Sequence, residues 1–232
     1  KSWISLTETL LRTNQVDKAK NKAKAALLNL PNNWAIKLLM ARIQVEQNEV
    51  NEAKNTLSTI PESARELAYF KRVQGHIHAV EGKYKLALPL LKESYNQEPT
   101  LRNAVLLYLT YESLSQVTQG IKLLESHVET NSNDLQALAA LADVYLKYDV
   151  ERAIPVYEKV HKLNEVNIVA LNNLAYLYQK QGDLDKAIVY ADKAVKQAPD
   201  TPSVLDTVAM IYFEQSKVSK AKELINKAKT LA

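Results

Sequence analysis

The sequence predicts an all-α protein in which seven helix pairs stack as a solenoid. Only four Gly and seven Pro occur in 232 residues, whereas strands joined by hairpins need more turn-forming residues. Good helix formers such as Ala, Leu, Lys, Glu and Gln dominate the composition. A pattern of small and apolar residues also recurs about every 34 residues, and a fixed period of this length indicates a solenoid.

The repeat is clearest where residues 171–200 are compared with the segment that follows them. Shifted by 34 residues, Ala175 falls on Ala209 and Ala187 falls on Ala221. Traced along the chain, the Ala187 position is occupied by Ala19, Ala53, Ala87, Gly120, Ala153, Ala187 and Ala221. We therefore predict one solenoid over residues 1–232, with repeats of approximately 1–33, 34–67, 68–100, 101–134, 135–167, 168–201 and 202–232.

Each repeat contains the signals of two helices joined by a short break. The break falls on small or turn-tolerant residues: Asn14, Asn48, Gly82, Ser115, Gly182 and Ser216. Proline follows the second helix at Pro31, Pro99 and Pro199. Small residues at the Ala187 position would let the two helices of a pair approach closely, because a bulky side chain would hold their axes apart.

The period, together with the residues at its defined positions, resembles the tetratricopeptide repeat. The residues that carry the resemblance are Trp3, Leu6, Ala19, Pro31, Tyr178, Ala187, Pro199 and Tyr212. It implies a right-handed α-α superhelix whose first helices line a concave wall. The match is strongest in the sixth and seventh repeats.

Three repeats depart from the family pattern. Lys71 and Gln74 replace apolar residues in the third repeat, and Gly120 and His127 occupy alanine positions in the fourth. The fifth lacks one residue at its turn, in "YLKYDVERA", so the angle between its helices is open.

The sequence contains no pattern typical of catalysis, so we expect no enzyme activity, no cofactor and no metal. There is no Cys, and no HExxH, GxSxG or phosphate-binding motif occurs. His76 and His78 lie two residues apart, which places them on different faces of a helix. Asp183 and Asp185 stand where a second helix begins and are interpreted as capping residues.

Charge and hydropathy argue against a nucleic-acid partner and against a membrane span. The net charge is +4 with acids and bases interspersed, so no nucleic acid is expected, and no apolar run is long enough to span a membrane.

A regular series of tyrosines recurs with the period at which the helices pack: Tyr111, Tyr145, Tyr178 and Tyr212. We therefore interpret these side chains as part of the core between helices.

The resemblance implies a partner-binding surface on the concave side of the first helices. Its positions map onto Tyr69, Arg72, His76, Arg102, Leu109, Glu112, Asp143, Asn172, Tyr176, Lys180, Met210 and Phe213. This mixture of aromatic, Arg and amide groups suits a peptide or a helical segment of another protein. The family's carboxylate clamp is only partly matched, by Asn172, Asn173 and Lys180, and its asparagine ladder is absent.

The leading hypothesis is thus a non-catalytic scaffold that binds a partner protein in its concave groove. One alternative is an architectural spacer or a self-association module that forms homo-oligomers through uncapped ends. Another is a regulatory part of an enzyme whose catalytic part lies elsewhere. Lys1 is not preceded by an initiator Met or a signal sequence, so we expect a fragment of a longer protein.

A narrower resemblance concerns the last two repeats. They are similar to the C-terminal part of bacterial tetratricopeptide-repeat lipoproteins associated with exosortase (PEP-CTERM) export systems. This resemblance implies a periplasmic location, with a lipoprotein-anchored parent, and a role in export or assembly of a surface polymer such as an exopolysaccharide. The compartment itself does not follow from the residues.

Overall fold

The structure is a computed structural model that describes residues 3–231. Within that range it contains fourteen α-helices, one short 3₁₀ helix and no strand, which confirms the predicted all-α, helix-turn-helix architecture. No helix in this range is long and apolar enough to cross a bilayer. The expectation of a longer parent protein concerns the two ends of the chain, Lys1 and Ala232. Both lie outside the described residues.

The helices follow one another in pairs, each pair joined by a short turn. Their bounds are α1 Trp3–Arg12, α2 Val16–Asn29, α3 Trp34–Glu46, α4 Val50–Ser58, α5 Ala68–Val80, α6 Tyr84–Gln97, α7 Leu101–Ser113, α8 Val117–Thr130, α9 Leu135–Tyr148, α10 Val150–Leu163, α11 Ile168–Lys180, α12 Leu184–Gln197, α13 Pro202–Glu214 and α14 Val218–Leu231. The 3₁₀ helix, Glu62–Ala64, lies between α4 and α5.

The chain forms two compact units: unit 1 is Lys1–Leu124 and unit 2 is Glu125–Ala232. In unit 1, the first helices α1, α3, α5 and α7 pack in series, and α2, α4 and α6 pack against the first helices beside them. In unit 2, α9, α11 and α13 each pack against their own second helix, and α11 also contacts α13. The first helices of unit 1 therefore form a layer of their own. A single solenoid over 1–232 stays a prediction.

The small residues of the repeat are the contact surface between paired helices, as predicted. The six alanines at the Ala187 position are all at most 1% exposed: Ala19, Ala53, Ala87, Ala153, Ala187 and Ala221. A methyl side chain at this position lets the facing helix approach closely. The opposing position on the first helices is also small in most repeats, with Ala41, Gly75, Ala142, Ala175 and Ala209.

The fourth repeat exchanges the sizes of these two residues. Tyr108 takes the first-helix position and is buried, and Gly120 replaces alanine on the second helix. A Cβ atom on Gly120 would lie 2.8 Å from Cδ2 of Tyr108, which is too close for a carbon contact. Glycine is therefore present at this alanine position because the tyrosine ring fills the space.

The predicted breaks coincide with backbone in the left-handed region. Positive φ angles occur at Asn14 (56°), Asn48 (61°), Gly82 (72°), Ser115 (60°), Gly182 (80°) and Ser216 (61°). The fifth repeat has the shorter turn that its missing residue predicted: Asp149 alone separates α9 from α10, with φ of −156°. Its carboxylate caps α10 by accepting a hydrogen bond from the Arg152 amide at 3.4 Å.

Serine at two of these breaks carries a cost that glycine would remove. We expect Ser115→Gly and Ser216→Gly each to raise the free energy of unfolding by roughly 0.5–1 kcal/mol, because a Cβ atom disfavours the left-handed conformation. Chemical denaturation measures the change. The reverse substitution, Gly82→Ser, is the control and should destabilise, because Gly82 has a φ of 72°. Nothing within 4 Å would obstruct the added Cβ atom, so the backbone conformation alone accounts for the cost. A destabilising Ser115→Gly would contradict this explanation.

Helix ends follow the expected capping chemistry. Asp183 caps α12 by accepting a hydrogen bond from the Lys186 amide at 3.1 Å, which confirms the capping interpretation for this residue. The second helices α2, α6 and α12 end two residues before Pro31, Pro99 and Pro199. Proline disfavours helical conformation in the residue before it, so it ends the helix there.

The third repeat tolerates Lys71 in place of an apolar residue because the lysine is paired. Its side chain is mostly buried, and Nζ lies 2.7 Å from Glu66 and 2.6 Å from Glu93. Helix α4 has only nine residues, and the chain then makes the 3₁₀ helix. A pocket of about 670 Å³ opens beside this segment, with Lys71, Gln74 and Phe70 in its lining.

The tyrosine series packs between helices, and in unit 2 it also forms polar contacts. The hydroxyl groups of Tyr145, Tyr178 and Tyr212 donate to Glu125, Glu158 and Asp192, each on the preceding second helix, at 2.6, 2.5 and 2.5 Å. Burial and then the bond to Asp192 raise the pKa of Tyr212 to about 12. Arg152 lies over the Tyr145 ring, Lys186 lies over the Tyr178 ring, and Lys217 and Lys220 both lie over the Tyr212 ring. These tyrosines thus join successive repeats.

Candidate protein-interaction surface

Four of the predicted contact residues meet in unit 1, on the layer of first helices. Tyr69, Arg72 and His76 come from α5, and Arg102 comes from the neighbouring helix α7. The guanidinium carbon of Arg72 lies 4.3 Å from the centre of the Tyr69 ring. Nη1 of Arg72 donates to Oδ1 of Asn103 at 3.1 Å. The predicted residues of this part of the chain are therefore neighbours in space.

A carboxylate from α3 completes this group. Oε1 of Glu46 accepts hydrogen bonds from Nε of Arg42 at 2.9 Å and from Nη1 of Arg102 at 2.8 Å. Arg102 lies on α7, so the contact with Glu46 passes across α5. We call Arg42, Arg72, Arg102 and Glu46 the arginine cluster.

The electrostatics of the cluster are set by burial and by the excess of guanidinium groups. Burial would raise the pKa of Glu46, but Arg42 and Arg102 together lower it, so this carboxylate is ionised. Burial also lowers the pKa of Arg72, and the nearby Arg42 and Arg102 lower it further, whereas Tyr69 opposes the shift. The pKa of His76 is lowered chiefly by burial, so the ring is neutral at pH 7.

Arg42 and Glu46 are absent from the contact set predicted from sequence. A signal for both existed, because a shift of 34 residues places Arg42 on His76, and the same position continues to Leu109, Asp143, Tyr176 and Met210. Glu46 falls in the same way on the position of Lys180 four repeats later. Extending the concave positions to the second repeat would have found both residues.

The two remaining predicted residues of unit 1 have different environments. Leu109 is exposed and lines a pocket of about 210 Å³ together with His76, Leu106 and Thr110. Glu112 accepts a hydrogen bond from the Tyr108 hydroxyl at 2.7 Å. Leu109 therefore adds an apolar contact close to the arginine cluster, whereas Glu112 is engaged within its own helix.

In unit 2, Asp143 belongs to a hydrogen-bonded chain between helices. Oδ1 of Asp143 accepts from the Tyr157 hydroxyl at 2.5 Å, and that hydroxyl accepts from Nδ2 of Asn173 at 2.7 Å. Burial, followed by the bond to Asp143, raises the pKa of Tyr157. The neighbouring Asn172 is half-buried, and its Oδ1 atom has no hydrogen-bond partner among the described residues.

The other predicted residues of unit 2 include three large apolar side chains in solvent. Tyr176 is 39% exposed, Met210 is 56% exposed and Phe213 is 60% exposed. Tyr176 and Met210 hold the same repeat position on α11 and α13, which pack against each other. Lys180 extends over the Tyr176 ring, with Nζ 5.5 Å from its centre. We call Tyr176, Met210 and Phe213 the apolar strip.

Two segments of the chain match family models, both described as the tetratricopeptide repeat. The first covers residues 6–77 and the second covers residues 168–201. The chain contains tetratricopeptide repeats. Proteins built from these repeats bind other proteins and are generally non-catalytic scaffolds. Within residues 3–231, no group of three or more His, Cys, Asp or Glu side chains is placed to hold a metal ion.

Similar proteins carry the same repeats in different settings. The chain is 26% identical over 237 residues to tetratricopeptide repeat protein 21A of Mus musculus, across 98% of this chain and 17% of that protein. It is 36% identical over 72 residues to photosystem I assembly protein Ycf3 of Prochlorococcus marinus, across 30% of this chain and 42% of that protein. Identity to cellulose synthase operon protein C of Pseudomonas fluorescens is 26% over 193 residues, or 83% of this chain and 13% of that protein. The chain thus spans less than half the length of each.

Solved structures of the protein MamA share the fold of these tetratricopeptide repeats. One aligns with a TM-score of 0.56 at 24% identity and covers 71% of this chain and 95% of its own. Another aligns with a TM-score of 0.58 at 21% identity and covers 68% of this chain and 93% of its own. At this level of identity the similarity concerns the fold alone.

Proposed function

We propose that the chain is a non-catalytic scaffold that binds a peptide or helical segment of a partner protein on the inner layer of its first helices. The apolar strip of unit 2 carries the proposal. Tyr176 and Met210 hold equivalent positions on adjacent helices, and Phe213 lies three residues after Met210 on α13. Exposed apolar side chains grouped in this way mark a site where another protein binds. Aromatic and Met side chains are enriched at protein interfaces, and aromatic groups often dominate binding energy.

The remaining predicted residues support the same surface. Asp143 lies on α9, and Asn172 and Lys180 lie on α11, where Lys180 places its ammonium group over the Tyr176 ring. In unit 1, the arginine cluster and Leu109 offer a second set of contacts on the first helices.

A photo-crosslinking experiment tests this proposal. Benzoylphenylalanine replaces Phe213 in one variant and Val189 in a control variant, because Val189 is 52% exposed on the second helix α12. We expect ultraviolet irradiation in cells of the source organism to yield a discrete adduct with another protein from the Phe213 position only. An adduct from Val189 alone would contradict the inner-layer assignment. Two results together would favour the self-association alternative: the absence of any adduct, and a molar mass of the purified protein that rises with its concentration in light scattering.

The proposal includes a role in bacterial export or in assembly of a surface polymer, with a lipoprotein-anchored parent in the periplasm. Similarity to cellulose synthase operon protein C supports this part, because the name of that protein connects it with polymer synthesis. The names of the other relatives place them in different settings, so this part depends on that protein alone. Mass spectrometry of the Phe213 adduct decides it: a component of a polymer-synthesis or export apparatus supports it, and any other protein contradicts it.

A further inference from the structure

The arginine cluster contains a buried guanidinium group that lacks an anionic partner within the described chain. Arg72 is 8% exposed, and its recorded contacts are the neutral Asn103 oxygen and the Tyr69 ring. It forms no ion pair within residues 3–231. Removing a charge from water without pairing it is costly, so an unpaired buried cation is unusual unless a ligand compensates it.

The neighbouring arginines increase this excess of positive charge. The one carboxylate of the cluster, Glu46, is shared by Arg42 and Arg102 through the same oxygen atom. Three guanidinium groups and one carboxylate leave two positive charges in excess, and His76 beside them is neutral. The side chain of Arg102 is half-exposed, so a group arriving from solvent can reach the cluster.

The structure also indicates which anion fits. Arg42 and Arg102 already donate charge-assisted hydrogen bonds to the carboxylate of Glu46. The guanidinium groups of the cluster are thus oriented to bind a carboxylate. The 210 Å³ pocket that shares His76 with this region is lined by Leu106, Leu109, Val80 and Ala79. An apolar side chain can therefore bind close to the charged one.

We infer that the arginine cluster of unit 1 binds a side-chain carboxylate of an acidic protein segment, with an adjacent apolar side chain of that segment in the pocket beside His76. The inference rests on the proposed function and specifies the chemistry of the partner. The incoming carboxylate pairs with Arg72 and Arg102, and Glu46 competes with it for Arg102. Glu46 thus neutralises part of the cluster in the free protein.

A peptide of defined charge tests the inference. The probe is a fluorescein-labelled heptapeptide with six glutamates around a central leucine, acetylated and amidated so that it has no terminal carboxylate. Fluorescence anisotropy at physiological salt should show saturable binding. A glutamine version of the probe should bind at least about tenfold more weakly. Equal binding of the two probes would overturn the inference.

Charge variants locate the site. Arg102→Gln should weaken binding of the glutamate probe about fivefold, and Glu46→Gln should strengthen it by a similar factor because the internal competitor is gone. Matched controls are Lys85→Gln and Glu52→Gln, which change the charge of unit 1 at exposed positions on second helices. If the control variants change the affinity as much as the cluster variants do, the effect comes from the net charge of the protein and not from the arginine cluster. That result would overturn the inference.

A variant of Arg72 separates binding from folding. Arg72→Met removes a buried charge that has no anionic partner, so the urea midpoint of the free protein should stay the same or rise while probe binding falls. A lower midpoint with unchanged probe binding would assign Arg72 a structural role and overturn the inference. Bound carboxylate should also raise the pKa of His76, which NMR titration measures.

Failure of the acidic-segment inference can be distinguished from failure of the proposed scaffold function. The crosslinking position, Phe213, lies in unit 2, whereas the peptide assay reports on unit 1. A Phe213 adduct together with unchanged probe binding by Arg102→Gln would leave the scaffold proposal intact and overturn the acidic-segment inference. Tight binding of a single-stranded oligonucleotide in place of the glutamate probe would overturn it as well.

Discussion

Tyr108→Ala is expected to lower the free energy of unfolding of unit 1 by about 3–5 kcal/mol. The ring is 5% exposed and lies between α7 and α8 against Gly120. In most other repeats both of these positions hold small residues. Removing it leaves a cavity facing Gly120, which has no side chain to fill the space. Gly120→Ala alone should cost about 1–3 kcal/mol, because its Cβ atom would meet the ring.

The double variant Tyr108→Ala/Gly120→Ala tests whether the two residues share one space. We expect it to be less destabilised than the sum of the single variants by at least about 1 kcal/mol, since it restores the pair of small residues found elsewhere. Trp3 and Trp34 are the two tryptophans and both belong to unit 1, so tryptophan fluorescence in guanidinium reports on this unit. Additive single-variant effects would show that the size exchange does not explain Gly120.

Tyr108→Phe is the control for the hydroxyl group. It keeps the ring but removes the hydrogen bond to Glu112, so a loss of about 1 kcal/mol is expected. A loss as large as that of Tyr108→Ala would mean that the hydrogen bond, and not the volume of the ring, stabilises the pair.

Ala187→Leu is the second prediction with a large effect, and it concerns unit 2. Ala187 is completely buried where α12 faces α11. Three additional carbon atoms have no space there, so we expect a loss of about 1–3 kcal/mol. Thermal unfolding followed by circular dichroism should show a midpoint lower by roughly 2–4 °C for each kcal/mol in a chain of this length.

The control for this prediction lies on the same helix. Val189→Leu adds one carbon atom at an exposed position of α12 and should change the stability by less than about 0.5 kcal/mol. If Ala187→Leu proves as stable as Val189→Leu, helix approach in this repeat does not depend on a small residue.

Most local features of the fold could be predicted from the repeat. The six break residues all adopt positive φ, because a helix that ends in a tight turn needs a residue that tolerates the left-handed conformation. The shorter turn at Asp149 followed from one missing residue. How Lys71 replaces an apolar residue could not be predicted, because its partners Glu66 and Glu93 are brought together only by packing.

The candidate site was predictable in position but not in chemistry. The family resemblance placed Tyr69, Arg72, His76 and Arg102 on one surface, and the structure makes them neighbours. It did not indicate that Arg72 is buried without an anionic partner. Nor did it indicate a contact between Arg102 and Glu46, since 56 residues separate them in sequence.

The sequence by itself determined the all-α class, the period of the repeats, the small residues between paired helices and the places where helices end. These features depend on neighbouring residues and on adjacent helices, so a periodic pattern is enough to show them. Only the tertiary structure decided which polar side chains meet across repeats. The arginine cluster depends on how closely α3, α5 and α7 approach one another on one face, and this distance is set by the packing of all three helices together.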